Sequence, residues 1–171
     1  MDIKKEIENS QISLLLIPNS GYSNSMQDII ANDIKFNKLG YISLNKPAAI
    51  AANSLKGKVK TGNIVFLDVS QDSKQDDSIK CIHVASLGDL LRISLSIPKL
   101  LNEEKVDVIL FDSLSTLLSS NSDLLVIKFA QNMMAKIRNV GCKGIFPCPK
   151  DDISQRLVKD LEMFADKTIT I

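Results

Sequence analysis

The segment of the sequence with the clearest chemical potential is the polar stretch PNSGYSNS, at residues 18–25. It follows the apolar run ISLLLI, which predicts a buried strand, and it precedes apolar residues at helical spacing that begin near Ser25. A strand, a polar loop and a helix in this order form the frame of a phosphate-binding loop, G-x-x-x-x-G-K-[ST]. In such a loop the glycines turn backbone N–H groups inward, the lysine neutralises phosphate charge, and the hydroxyl holds magnesium.

Aligned to that frame, the stretch keeps only the hydroxyl position. Pro18 and Ser23 stand where the two glycines belong, Asn24 stands at the lysine position, and Ser25 supplies the hydroxyl. Pro18 has no N–H to donate, and Asn24 carries no charge. If a nucleotide binds here, the residues expected to contact it are Asn19, Ser20, Gly21, Tyr22, Ser23, Asn24 and Ser25.

A second candidate site residue is Asp112, which ends the apolar run VDVILFD. An acidic residue at the end of such a strand has the form of a Walker B motif, whose aspartate holds magnesium through water in working NTPases. Ser25 and Asp112 are therefore the predicted metal-holding pair, on the condition that a magnesium nucleotide binds. The structural alternative is that Asp112 accepts hydrogen bonds from the following turn and from a helix N-terminus.

Other reactive side chains give weaker signals. His83 is the only histidine, and it is expected at the end of a strand rather than in a catalytic triad. Cys81, Cys142 and Cys148 have neither the spacing of a zinc motif nor a CxxC pair. The three cysteines are therefore predicted to be reduced structural thiols.

Composition narrows the classes of function. The chain has 171 residues, of which 44% are hydrophobic, and its net charge is +1, so it offers no general attraction to nucleic acid. No apolar run reaches the length of a membrane span, and the charged N-terminus MDIKKEIENSQ lacks the apolar core of a signal peptide. A cytoplasmic protein without nucleic-acid or membrane partners is expected.

Strand and helix patterns alternate along the chain and predict a three-layer α/β domain with a mainly parallel sheet. One domain over residues 1–171 is expected, with ligands at the C-terminal ends of the strands. Helices are predicted from Ser25 to Gly40, after Pro47, from Ser86 with a break at Pro98, from Ser122, and after the PKDD segment. In the helix from Ser86 the predicted apolar face is Leu87, Leu90, Leu91 and Leu95, and in the helix from Ser122 one side is predicted to carry Leu125, Phe129, Met133, Lys136 and Val140. Strands are predicted at 12–17, 41–44, 62–70, 79–84, 106–113, 142–148 and 167–171.

The stretches VILFDSLSTLL, VIKFAQNMMAKIRNVGCKGIF and EMFADKTITI together resemble the archaeal branch of the RecA/KaiC superfamily of P-loop ATPase domains. The resemblance runs from about residue 12 to residue 171. It implies a RecA-like core with strand order 167–171, 12–17, 142–148, 106–112, 41–44, 63–68, and with 80–84 at or near the far edge. Members bind ATP with magnesium, commonly assemble through the nucleotide-facing surface, and act as motors, kinases or scaffolds.

The same resemblance exposes a further departure from the active family. The catalytic glutamate of the family follows the second strand, where this chain has Asn45 and Lys46. Neither side chain accepts a proton from attacking water as a carboxylate does. The favoured function is a non-catalytic, pseudo-ATPase domain that acts in protein interaction or self-association, with no cofactor expected or only weak ATP and magnesium binding. The alternatives are a nucleotide-binding switch that does not hydrolyse, and a weak ATPase in which Lys46 reaches the phosphates.

Overall fold

The residues that the structure describes form one sheet of seven strands, and every neighbouring pair runs parallel. A computed structural model describes residues 2–70, 75–84 and 86–171. The order β4-β3-β2-β5-β6-β1-β7 confirms the order implied by the resemblance. The strands are β1 Ile12–Ile17, β2 Leu39–Ser43, β3 Ile64–Asp68, β4 Lys80–His83, β5 Val108–Asp112, β6 Lys143–Pro149 and β7 Lys167–Thr170.

The sheet is parallel because its central strands are apolar on both faces, so helices must cover both sides. All residues of β1, β2, β3 and β5 are buried, while the edge strands β4 and β7 carry exposed lysines at their starts. Two separate apolar cores result, one on each face of the sheet. The fold is therefore a three-layer α/β arrangement.

The helices divide between the two faces of the sheet. The first three contribute buried side chains to one core, and the last three contribute to the other. The helices are α1 Ile3–Glu8, α2 Tyr22–Asn32, α3 Ala48–Leu55, α4 Leu90–Pro98, α5 Asp123–Asn139 and α6 Gln155–Glu162. No helix in the described ranges is both long enough and apolar enough to cross a bilayer.

The helix after the first strand differs from its prediction at both ends. It begins at Tyr22, three residues before Ser25, and it ends at Asn32 rather than at Gly40. Gly40 lies inside β2, where a Cβ would come within 3.3 Å of Val106 Cγ2. Close packing under the sheet, rather than a helix terminus, accounts for this glycine.

The fourth helix shows why a list of leucines does not define its buried face. It begins at Leu90, capped by Asp89, and not at the predicted Ser86. Leu91 and Leu95 were predicted to be on the apolar face, yet they are 69% and 63% exposed. Ile93 and Ile97 face the core instead. The α-helix ends at Pro98, and Leu100, in the π-helical turn that follows, is buried on the same core.

The long helix α5 confirms its predicted start but not all of its predicted face. Ser122 caps it, since its hydroxyl accepts a hydrogen bond from the Leu125 N–H. Leu125 and Val140 are about half exposed, while Val126 and Ile137 are buried, so the buried stripe is rotated from the predicted one. The predicted helix and sheet boundaries elsewhere agree within a few residues, except that α1 was not predicted.

Candidate functional site

Three loops meet at the C-terminal ends of β1, β2 and β5, as expected for a site in a parallel sheet. They follow Ile17, Ser43 and Asp112. Ser43 and Asp112 are register partners on adjacent strands, and the Leu44 N–H donates to the Asp112 carbonyl at 2.9 Å. The candidate nucleotide site and Asp112 therefore share one edge of the sheet.

The loop after β1 is shorter than the sequence predicted. Only residues 18–21 separate the strand from α2, and Gly21 caps the helix with a φ of +80°. Ser23, Asn24 and Ser25 consequently lie in the first turns of α2, and the Ser25 N–H already donates to the Gly21 carbonyl at 3.0 Å. An amide engaged in a helical bond does not turn toward a phosphate.

Asn19 ties this loop to the segment after β6. Its side-chain N–H donates to Asp152 at 2.8 Å, and its side-chain oxygen accepts from the Asp151 N–H at 2.9 Å. Both ends of the amide are therefore engaged in holding two loops together. Asn19 acts here as a structural bridge.

Asp112 is buried, with 3% of its surface exposed, and its two carboxylate oxygens are each bonded to a tyrosine. The Tyr22 hydroxyl donates to Oδ1 at 2.8 Å, and the Tyr41 hydroxyl donates to Oδ2 at 2.5 Å. Tyr22 and Tyr41 are the only tyrosines in the chain. Tyr22 comes from the first turn of α2 and Tyr41 from the neighbouring strand β2, so the fold brings both to the end of β5.

The tyrosines serve as neutral donors. Burial raises the pKa of Tyr22, and the adjacent Asp112 charge raises it further. Burial also raises the pKa of Tyr41 well above its ordinary value, again with Asp112 as the second cause. Both phenols thus keep their protons and hold the carboxylate by hydrogen bonds.

These partners differ from those considered on sequence grounds. The structural alternative had the following turn as a donor to Asp112, but the hydroxyls of that turn hydrogen-bond one another: Ser113 Oγ lies 2.9 Å from Ser115 Oγ and 3.3 Å from Thr116 Oγ1. The role of Tyr22 and Tyr41 was not predicted. The sequence did contain one indication of this role: Tyr22 stands in the candidate loop, and Tyr41 stands two residues before the end of the neighbouring strand β2.

Asn45 and Lys46, which the resemblance aligns with the catalytic glutamate of RecA/KaiC ATPases, lie in a tight turn. The Ser43 hydroxyl donates to the Lys46 carbonyl at 2.6 Å, while Asn45 is exposed and Lys46 is half-buried. No carboxylate of the described residues occupies this turn. Asp68, which ends the neighbouring strand β3, accepts from the Ala48 N–H at 2.8 Å and thereby holds the start of α3.

The donor set does not fit a magnesium nucleotide. Ser25 and Asp112, the predicted metal pair, share no hydrogen bond, and each Asp112 oxygen already accepts a hydrogen bond from a tyrosine hydroxyl. Asn24 is exposed and uncharged, and Pro18 has no N–H to donate. No chemical step through ATP or magnesium follows from this geometry.

Comparisons with known proteins support the fold. No protein-family model matches the chain, and no curated protein matches it. Among solved structures, the chain is similar to a KaiC-like protein from the hyperthermophilic archaeon Pyrococcus horikoshii OT3, with a TM-score of 0.59 and 10% sequence identity. The similarity covers 94% of this chain and 70% of that one. It shows that the chain has a RecA/KaiC-type α/β fold.

Proposed function

We propose that the protein is a non-catalytic domain of RecA/KaiC type, with a degenerate phosphate-binding loop, that acts through protein contacts. The observation that carries the proposal is the closure of Asp112 by Tyr22 and Tyr41. Each Asp112 oxygen gives one of its acceptor sites to a tyrosine, so a water-bound magnesium would have to share the buried carboxylate with both phenols or replace one of these bonds. Hydrogen bonds to charged groups contribute about 1.5–3 kcal/mol each, so the replacement is costly.

The missing charges add to this cost. Asn24 offers the outer phosphates no positive charge, and Asn45 and Lys46 offer no base to attacking water. A helix N-terminus contributes on the order of 0.3–1 kcal/mol toward an anion. Micromolar affinity requires roughly 8 kcal/mol. The start of α2 alone therefore does not support micromolar binding of ATP.

Calorimetric titration with ATP and magnesium, together with a phosphate-release assay, tests the loss of catalysis. We expect no micromolar binding and only background phosphate release. A magnesium-dependent release that Asp112→Asn abolishes would overturn the proposal. Asn keeps the shape of the side chain and removes its charge, so this variant separates metal binding from gross misfolding.

The contact role is supported by exposed apolar side chains on α4. Leu91 and Leu95 are one helical turn apart and largely exposed. Arg92 and Lys99 flank them, and Leu95, Arg92 and Lys99 line a shallow groove together with His83. Apolar side chains beside cations favour a protein surface that carries apolar and acidic groups, whether on a second copy of the chain or on another protein.

Sedimentation across a range of protein concentrations tests self-association through this surface. We expect that the double variant Leu91→Gln/Leu95→Gln shifts any oligomer toward monomer. Leu124→Gln is the matched control, because Leu124 is an exposed leucine, 59% accessible, on a different helix. An oligomer that both variants leave unchanged would contradict self-association through α4.

A further inference from the structure

A separate cluster of metal-ligating side chains lies at the end of β3 and β4. Asp68, Cys81 and His83 each offer one ligand atom, and the three atoms lie within 4.8 Å of one another. The sheet register brings them together, because Asp68 pairs with His83 and Cys81 stands two residues before His83 on the same face of β4. None of these residues belongs to the site around Asp112.

The geometry points to a binding site for a divalent transition metal of the zinc class, and we propose Asp68, Cys81 and His83 as its three protein ligands. Thiolate, imidazole and carboxylate are the three ligand types that zinc uses in proteins. Tetrahedral zinc with usual bond lengths places its ligand atoms about 3.3–3.6 Å apart. Cys81 Sγ and His83 Nδ1 are 3.9 Å apart and no two of the three ligand atoms are more than 4.8 Å apart, so metal binding requires them to approach by up to about 1.5 Å.

Asp68 is already oriented for this role. Its Oδ1 accepts from the Ser70 N–H at 2.8 Å and from the Ser70 hydroxyl at 2.6 Å, whereas Oδ2 accepts, among the described residues, only from the Ala48 N–H. Oδ2 therefore keeps a lone pair for a cation. Hydrogen bonds that fix a carboxylate in this way are typical of the shell that surrounds metal ligands.

The other two ligands make few polar contacts with the described residues, and the Cys81 thiol donates to the Ile82 carbonyl at a long 3.8 Å. The imidazole of His83 has no polar contact there other than the 3.9 Å approach to Cys81. Asp68 is 2% exposed and forms no ion pair within the described ranges, so a bound cation would compensate a buried charge.

The site is open on one side. Asp68 is buried, Cys81 is half-buried and His83 is exposed, so the cluster runs from the interior to the surface along the edge strand. Three protein ligands leave the fourth tetrahedral position to water or to a group from another molecule. A site of this form is independent of the proposed loss of ATP chemistry.

Cobalt(II) is a suitable probe, because it takes zinc-type sites and reports a thiolate ligand by a charge-transfer band in the near ultraviolet. The protein must carry no histidine tag, since His83 is its only histidine. After removal of metal with a chelator under reducing conditions, we expect one equivalent of cobalt to bind and to develop the thiolate band. Added zinc should displace the cobalt and remove the band.

Three variants assign the ligands. Cys81→Ser should abolish the thiolate band, and His83→Gln should weaken cobalt binding by about 100-fold or more, since even supporting residues around a metal cost 10–100-fold. Cys142→Ser is the matched thiol control, because Cys142 is a free cysteine outside the cluster, and it should leave the band unchanged.

Two results would overturn the proposal. One is the absence of saturable cobalt or zinc binding by folded natural protein. The other is a thiolate band that persists in Cys81→Ser or disappears in Cys142→Ser. Circular dichroism of each variant shows whether it is folded, and the natural protein tests the site even if a variant is not.

Discussion

Asp112 and Asp68 are both buried aspartates at the C-terminal ends of central strands of one sheet, yet their surroundings differ. Asp112 ends β5 and is closed by the hydroxyls of Tyr22 and Tyr41. Asp68 ends β3 and has Cys81 and His83 beside it, two side chains that can bind a metal. The neighbouring strand and helix, more than the strand-terminal position, decide whether such a carboxylate is engaged by the protein or open to a ligand.

The largest expected effect on stability is at the closed carboxylate. Tyr41→Phe removes the donor to Asp112 Oδ2 in a buried position, and we expect it to lower the free energy of unfolding by about 2–3 kcal/mol. Chemical denaturation measures the change. Tyr22→Phe is the matched comparison, and it should cost less, because Tyr22 is only partly buried and water can replace its hydroxyl. Equal or reversed costs would show that burial does not set the difference.

The contribution of Asp68 to stability should depend on the hydrogen bonds that its carboxylate accepts. Asp68→Asn places an N–H where Oδ2 now accepts from Ala48 or removes an acceptor from Ser70, so a loss of about 1–2 kcal/mol is expected. Denaturation in the presence of a chelator measures this loss without metal. Repeating it with zinc should widen the gap between natural protein and variant, since only the natural protein gains from the bound metal. An unchanged gap would argue against Asp68 as a ligand.

Restoring the phosphate-binding loop tests how firmly the first site is closed. The triple variant Pro18→Gly, Ser23→Gly, Asn24→Lys is expected to recover measurable ATP binding. Adding Tyr22→Ala should raise the affinity at least about tenfold more, equivalent to about 1.4 kcal/mol, because it frees an Asp112 oxygen. Calorimetry on the folded variants decides the matter. No gain in either variant would mean that Ser25 does not correspond to the hydroxyl position of the motif.

A third aspartate, Asp166, forms an ion pair with Arg138, and we expect its replacement to have a smaller effect on stability. It bonds Arg138 and the Gln11 and Ile12 N–H groups, and the bond to Arg138 is the main cause that lowers the pKa of Asp166. Stability gained from a lowered pKa is present above the unfolded-state value and is lost as the pH falls through the folded-state value. Unfolding of natural protein should therefore become easier below about pH 4.

Asp166→Asn should reduce that acid sensitivity and lower stability near neutral pH by about 0.5–1.5 kcal/mol, a small cost because the pair is partly exposed to solvent. Denaturation curves of both proteins at several pH values measure the difference. A stability difference that stays constant down to the acid range would contradict the assigned linkage.

Local patterns were sufficient for much of the fold. Continuous apolar runs predicted seven strands, the Ser122 cap was confirmed, and Pro98 ends the regular α-helix of α4. The strand order followed from the resemblance rather than from the residues themselves, and it is confirmed. Apolar runs predict these strands well because both faces of a central parallel strand are buried, so nearly all of its side chains are apolar.

The helix faces were less accessible to sequence reasoning. Leu91 and Leu95 fit an apolar stripe as well as Ile93 and Ile97 do, and only the direction in which α4 meets the sheet separates the two sets. The early start of α2 at Tyr22 likewise depends on the positive φ of Gly21 and on the contact of Tyr22 with Asp112. These features are set by packing between elements, which spacing within one element does not encode.

The sequence by itself determined the apolar strands, the absence of a lysine at position 24 and the absence of an acid at positions 45 and 46. The tertiary structure alone decided that Tyr22 and Tyr41 close Asp112, and that Asp68, Cys81 and His83 meet although no metal motif links them in sequence. The physical reason is parallel pairing, which places the ends of strands that are distant in the chain at one edge of the sheet.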